Sequence, residues 1–132
     1  MQRLRDSLAS LARANQRLAE ATALGADNPV IVDGVIQRFE FALELTWKTL
    51  KRALAMEGIE ASTPREVLTQ AARAGWLPDE APWLGMLKDR NLTSHIYDEA
   101  TARAIYDRIR ERYQPALAEL LALLQRRYPP AD

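Results

Sequence analysis

The residues from Lys88 to Glu99 read K-D-R-N-L-T-S-H-I-Y-D-E and contain the chain's single histidine, His95, with Arg90 and Asn91 upstream and Tyr97 two residues on. No other stretch concentrates reactive side chains so densely. Arg90 offers a fixed fork of donors that can grip a phosphate bidentately. His95 is the side chain whose ordinary pKa lets it take up and return a proton near neutrality. An arginine and a histidine acting together can cleave an RNA phosphodiester without a metal ion. Lys88, Asn91 and Ser94 add polar groups suited to binding and orienting the substrate.

The spacing sets a geometric condition on this chemistry. Residues five apart on an α-helix stand about 140° apart around its axis, at about 100° per residue, so one continuous helix would separate Arg90 from His95. A helix that frays near Ser94 removes the difficulty. The chain then leaves it at His95, and His95 and Tyr97 fall on one side of an extended piece, with Asp98 free to cap the next helix. The bland alternative is that a single histidine near a helix end only caps or hydrogen-bonds. Four polar residue types clustered together weigh against it.

The elements that must position these residues are all helical. From Gln2 to about Leu24, Leu4, Leu8, Leu11, Leu18 and Ala21 recur at helical spacing, with Arg3, Arg13 and Arg17 outward. Asn15 fills the gap between Leu11 and Leu18, either fixing register at an oligomer seam or solvated at a widened face. Asn28-Pro29 reads as a cap and first helical residue, opening a long helix to about Met56. Its main apolar stripe is Val32, Val35, Ile36, Phe39, Leu43, Trp47, Leu50 and Leu54. Ile31, Phe41 and Leu45 form a second, smaller patch on the opposite side, so this helix needs two neighbours, within the bundle or across a dimer seam.

Asp33, Glu40, Glu44 and Lys51 make a polar strip between the two patches. The plain reading is a solvated face with Glu44 paired to Lys48 at i,i+4, worth roughly a few tenths of a kcal/mol. The functional reading is that Glu40 and Glu44 orient Arg90 or contact a partner. Gly58 ends the helix, and Thr63-Pro64-Arg65-Glu66 matches a capping box for a short helix to about Ala74. Gly75 stops that helix, and Trp76-Leu77 should seal the end of the core. Asp79 is placed to cap a helix with Trp83, Met86, Leu87 and Arg90 on one face, and this helix delivers the motif. From Asp98 a last long helix should turn Ala102, Ile105, Ile109, Tyr113, Ala116, Leu120 and Leu123 inward. Pro115 predicts a kink or break near Tyr113, and Tyr128 to Asp132 read as a loose tail.

With 132 residues the chain is expected to form one domain, residues 1–132, large enough to bury a core. Eighteen basic residues balance eighteen acidic ones, so a binder held to polyanions by bulk charge is not indicated and any RNA contact must be local. The chain has no cysteine and one histidine, which argues against a disulfide framework and against a zinc site. No glycine-rich phosphate loop or Ser-His-Asp set calls for a cofactor or another chemistry. Met1 to Arg5 do not read as a signal peptide, and no apolar run of about 18 residues could span a bilayer. A cytoplasmic protein without a membrane partner is the expectation. The pattern as a whole fits an all-α, antiparallel up-and-down bundle of four main helices plus a short one.

R-N-L-T-S-H-I-Y resembles the Arg-x4-His-x-Tyr motif of HEPN-domain proteins. Gln37 to Lys51, Q-R-F-E-F-A-L-E-L-T-W-K-T-L-K, resembles the second helix of the HEPN branch called nucleotidyltransferase substrate-binding proteins. The likeness runs from the first helix to the last. It implies a HEPN-like helical bundle that forms a homodimer and, in many members, a metal-independent endoribonuclease with the arginine and histidine of two protomers facing across a cleft. It makes Arg90 the phosphate gripper, Asn91 a polar orienter and His95 the acid and base. It also implies a minimal nucleotidyltransferase partner, toxin with antitoxin, that can adenylylate the tyrosine at the Tyr97 position. The same resemblance allows a non-catalytic subunit that presents a substrate or nucleotide to a separate nucleotidyltransferase, and the sequence leaves both open. A purely structural bundle would leave the motif unexplained.

Overall fold

The computed structural model describes residues 1–93 and 98–130. The described residues form helices joined by turns, with no strand among them: α1 (Gln2–Thr22), α2 (Pro29–Met56), α3 (Pro64–Arg73), α4 (Ala81–Thr93), α5 (Glu99–Arg108), a π-helical turn (Ile109–Tyr113) and α6 (Gln114–Arg127). The last three are continuous, so the expected antiparallel bundle of four main helices and a short one is what forms. α2 is its centre: α1 and α3 pack against it, α5 crosses it, and α6 lies on α1.

The helix ends follow from their sequences. Asn28 accepts from the backbone N–H of Val30 at 2.9 Å, ahead of Pro29. Thr63 accepts from the N–H of Glu66 at 3.2 Å, and Glu66 answers by accepting from the N–H of Ser62 at 3.0 Å, the reciprocal pattern of a capping box. α2 and α3 both stop at glycines with φ of 76° (Gly58) and 82° (Gly75). There the Ile59 N–H reaches Leu54 O at 2.9 Å and the Trp76 N–H reaches Ala71 O at 3.0 Å. This closure needs a left-handed residue, which glycine supplies without steric cost.

Phe39, Leu43, Leu50 and Leu54 of α2 form one buried core with Leu4 and Leu18 of α1 and with Ile105, Ile109, Leu117 and Leu124. Each such side chain contributes about 1.5–3 kcal/mol on burial. Trp76 and Leu77 are buried at the end of the core, as their position suggested.

The break expected near Tyr113 takes the form of a π turn, Ile109–Tyr113, with Pro115 in the first turn of α6, where a missing N–H is tolerated. Other expectations need correction. The wider turn admits an additional residue, so Leu117, Leu120 and Leu124 face the core, while Ala116 and Leu123 are only half-buried. Tyr128 is not loose, because it is buried and its hydroxyl donates to Glu57 Oε1 at 2.9 Å, with Ala53 O 3.3 Å away. Asn15 is not simply solvated: half-buried, it donates to Leu117 O at 3.3 Å and ties α1 to α6.

Candidate functional site

α4 carries Arg90, and the side chain that fixes α4 is its neighbour Asp89. Trp83, Met86 and Asp89 are the buried residues of this helix, and Asp89 is only 3% exposed. Its carboxylate accepts from Arg108 Nε and Nη2, both at 2.8 Å, and from the Tyr113 hydroxyl at 2.6 Å. The bidentate geometry joins α4 to the end of α5, and the tyrosine joins it to the π turn. The Tyr113 ring stacks on Phe39 of α2, with centroids 5.4 Å apart. Gly85, one turn before Asp89, leaves the necessary room, since a Cβ there would stand 2.8 Å from the Tyr113 hydroxyl oxygen.

Arg90 is held differently. Its Nη2 lies 3.5 Å from Glu44 Oε2 on α2, with both side chains 37% exposed. The Trp47 indole N–H donates to the same Glu44 oxygen at 3.1 Å, and Lys48 Nζ lies 3.4 Å from Oε1. Burial works to raise the Glu44 carboxyl, but the hydrogen bonds from Trp47 and Lys48 and the charges of Arg90 and Lys48 outweigh it and hold it below its ordinary value. An ion pair this exposed is worth at most about 1 kcal/mol. Arg90 is thus oriented without being sequestered, and a phosphate can compete for it.

Lys88 and Asn91, on the same helix as Arg90, are exposed. Glu40, one turn before Glu44, is exposed, and among the described residues it forms no ion pair with Arg90. Ser94, His95 and Tyr97 lie outside the described residues, as do the fraying at Ser94 and the shared side of His95 and Tyr97. The boundaries of that segment are described. The Thr93 hydroxyl donates to Arg90 O at 2.7 Å at the end of α4, and Asp98 caps α5 as expected, accepting from the Thr101 N–H at 2.7 Å. The N–H and hydroxyl of Thr101 hold the Asp98 carboxyl below its ordinary value. Beside this cap a cleft of about 400 Å³ is lined by Asp27, Asp33, Asp98 and Glu99 together with Arg103, a charge balance unsuited to a phosphate.

Sequence reasoning missed Asp89, Arg108 and Gly85. The signal that could have found Asp89 is its register: 83, 86 and 89 follow one inward line of α4, and a carboxylate on that line must find donors.

With this geometry in view, the chain belongs to the family described as nucleotidyltransferase substrate binding protein like, whose model matches residues 2–126. A Haemophilus influenzae protein named Probable ribonuclease HepT is 36% identical over 84 residues, 60% of this chain. That match spans 58% of the relative's own length. A crystal structure of a Thermus thermophilus protein superposes with a TM-score of 0.81 at 38% identity, covering 87% of this chain and 98% of that one. A Haemophilus influenzae structure described as the fold of a substrate binding domain of a nucleotidyltransferase also superposes at 0.81, with 29% identity, 89% of this chain and 98% of that one. The resemblance to the nucleotidyltransferase substrate-binding branch of HEPN proteins is borne out. Among the described residues no helix is long and apolar enough to cross a membrane.

Two measurements probe the Asp89 network. Gly85→Ala should lower stability by about 1–3 kcal/mol in urea unfolding, and the Gly85→Ala, Tyr113→Phe double variant should lose less than the sum of the single losses, because the clash is with the hydroxyl. Burial, with the hydrogen bond to Asp89 and that residue's charge, pushes the Tyr113 hydroxyl up to about 12. A folded pKa above the usual value of about 10 means the contribution is intact below pH ~10 and is lost as pH rises through about 12. Between those pH values the wild type should lose more stability than Tyr113→Phe, by on the order of 2 kcal/mol, and parallel curves would contradict this.

Proposed function

We propose that this protein is a HEPN-type toxin, a metal-independent endoribonuclease neutralised by a partner minimal nucleotidyltransferase. The observation that carries the reading is Arg90 itself: aimed by a locked helix, restrained by a weak and half-exposed pair with Glu44, and set one helical turn before the segment that contains His95. The relative named as a ribonuclease supports the same reading.

In this mechanism His95 takes the proton from a ribose 2′-hydroxyl, whose oxygen attacks the adjacent phosphorus. The bond to the 5′-oxygen breaks and that oxygen is protonated, leaving a 2′,3′-cyclic phosphate. Arg90 leaves Glu44 to bind the phosphate oxygens, where charge builds in the transition state. Asn91, Lys88 and Ser94 orient the substrate, and Glu44 returns Arg90 to its place. Tyr97 is the position at which the partner would attach AMP, adding negative charge where RNA phosphate sits.

Purified protein should cut RNA in EDTA and leave cyclic phosphate ends, with Arg90→Ala and His95→Ala each slower by about 10²-fold or more. Cleavage that survives His95→Ala removes the catalytic reading. A second reading, a non-catalytic subunit presenting a nucleotide or other substrate to a nucleotidyltransferase, is favoured by the relative described as a substrate binding domain. It is the outcome if RNA or nucleotide binds through Arg90 and nothing is cut. Incubation with an active partner, ATP and magnesium should add adenylyl mass to the Tyr97 peptide as cleavage falls, and mass gain that persists in Tyr97→Phe would exclude that tyrosine.

The outer side of α2 supports a homodimer. Phe41 is 61% exposed and Val30 73% exposed, with Ile31 and Leu45 only partly covered. Light scattering at micromolar concentration should read twice 14.9 kDa, falling toward one chain in Phe41→Asp. A wild-type monomer at that concentration ends the proposal.

A further inference from the structure

The C-terminal end of α4 is held by one buried side chain, Asp89. The other two buried side chains of the helix, Trp83 and Met86, lie in its first two turns, while the end that carries Arg90 has no fully buried apolar residue. At that end the carboxylate of Asp89 takes three hydrogen bonds from the last helix. Successive helical residues stand about 100° apart, so holding Asp89 at one edge of the inward face sets Arg90 at the other edge, toward Glu44.

We propose that Asp89 is a positioning residue: with Arg108 and Tyr113 as its partners, it sets the rotation of α4 and thereby aims Arg90 at the anion site beside Glu44. Asp89 itself is too buried to touch substrate. Its three donors differ in what they can give up. Arg108 supplies the charge that makes a buried carboxylate tolerable, whereas Tyr113 supplies one directional bond that resists rotation. Loss of either lets the C-terminal turn of α4 pivot, and Arg90 moves before the core does.

The proposal rests on Arg90 as the anion contact, so its test carries two readouts. The first is the NMR resonance of the Trp47 indole N–H, which donates to the Glu44 oxygen that Arg90 approaches. The second is the affinity for a 2′-O-methyl RNA oligonucleotide, which lacks the attacking hydroxyl and so reports binding alone. In Asp89→Asn the indole resonance should shift in the direction that Arg90→Ala shifts it. Affinity should fall about tenfold when Arg90 is present and less than twofold when Arg90 is already alanine. Tyr113→Phe keeps the ring and the Arg108 pair, folds independently of the Asp89 variant, and should show the same pattern at smaller size.

An unmoved indole resonance in both variants overturns the proposal. So does an equal loss of affinity with and without Arg90, which is what a merely structural residue would give. If Arg90→Ala leaves RNA affinity unchanged, the functional reading fails instead, and the indole resonance alone decides the role of Asp89.

Discussion

A carboxylate taken out of water is costly unless its lone pairs are filled and its charge is matched. Asp89 meets that condition through elements that are distant in sequence: Arg108 at the end of α5 and Tyr113 in the π turn. Because the demand is strict, the positions of those elements are tied together. The π turn carries Tyr113 to the carboxylate, Phe39 of α2 supports its ring, and Gly85 leaves space for its hydroxyl. Removing one donor would leave a buried charge partly unsatisfied, which costs more than an ordinary hydrogen bond contributes.

The two arginines near this point are paired in different ways. Arg108 makes two 2.8 Å bonds to a carboxylate that is almost fully buried, and the hydrogen bond with Asp89 raises its pKa despite partial burial. Arg90 stands 3.5 Å from a half-exposed carboxylate that it shares with Trp47 and Lys48. Water screens the second pair and leaves it weak. A weak pair leaves Arg90 able to exchange its partner, and a strong one holds Arg108 in place.

α2 links these features to the outside of the molecule. One face builds the core through Phe39, Leu43, Leu50 and Leu54; an intermediate strip carries Glu44; and the outer face exposes Phe41 and Val30. The site therefore borders an apolar surface as well as the core.

The sequence by itself determined the helices, their caps and their inward stripes, because these depend on local spacing and on side chains bonding to backbone within a few residues. Asn28, Thr63, Gly58 and Gly75 act as their neighbours require, and the apolar stripes that the periodicity marks on α1 and α2 are buried except at Trp47, which is half-buried and donates to Glu44. It also singled out Arg90 and named Glu44 as a candidate for orienting it. Tertiary structure decided the rest. That Glu44 and not Glu40 approaches Arg90 depends on how α4 lies across α2. Asp89 read as one more polar residue of the motif until Arg108 and Tyr113, 19 and 24 residues away, were seen to converge on it. The π turn that brings Tyr113 there, and that moves the buried positions to Leu117 and Leu124, is marked in the sequence by Pro115, whose missing N–H cannot continue an α-helix, but the sequence does not show what the turn brings together.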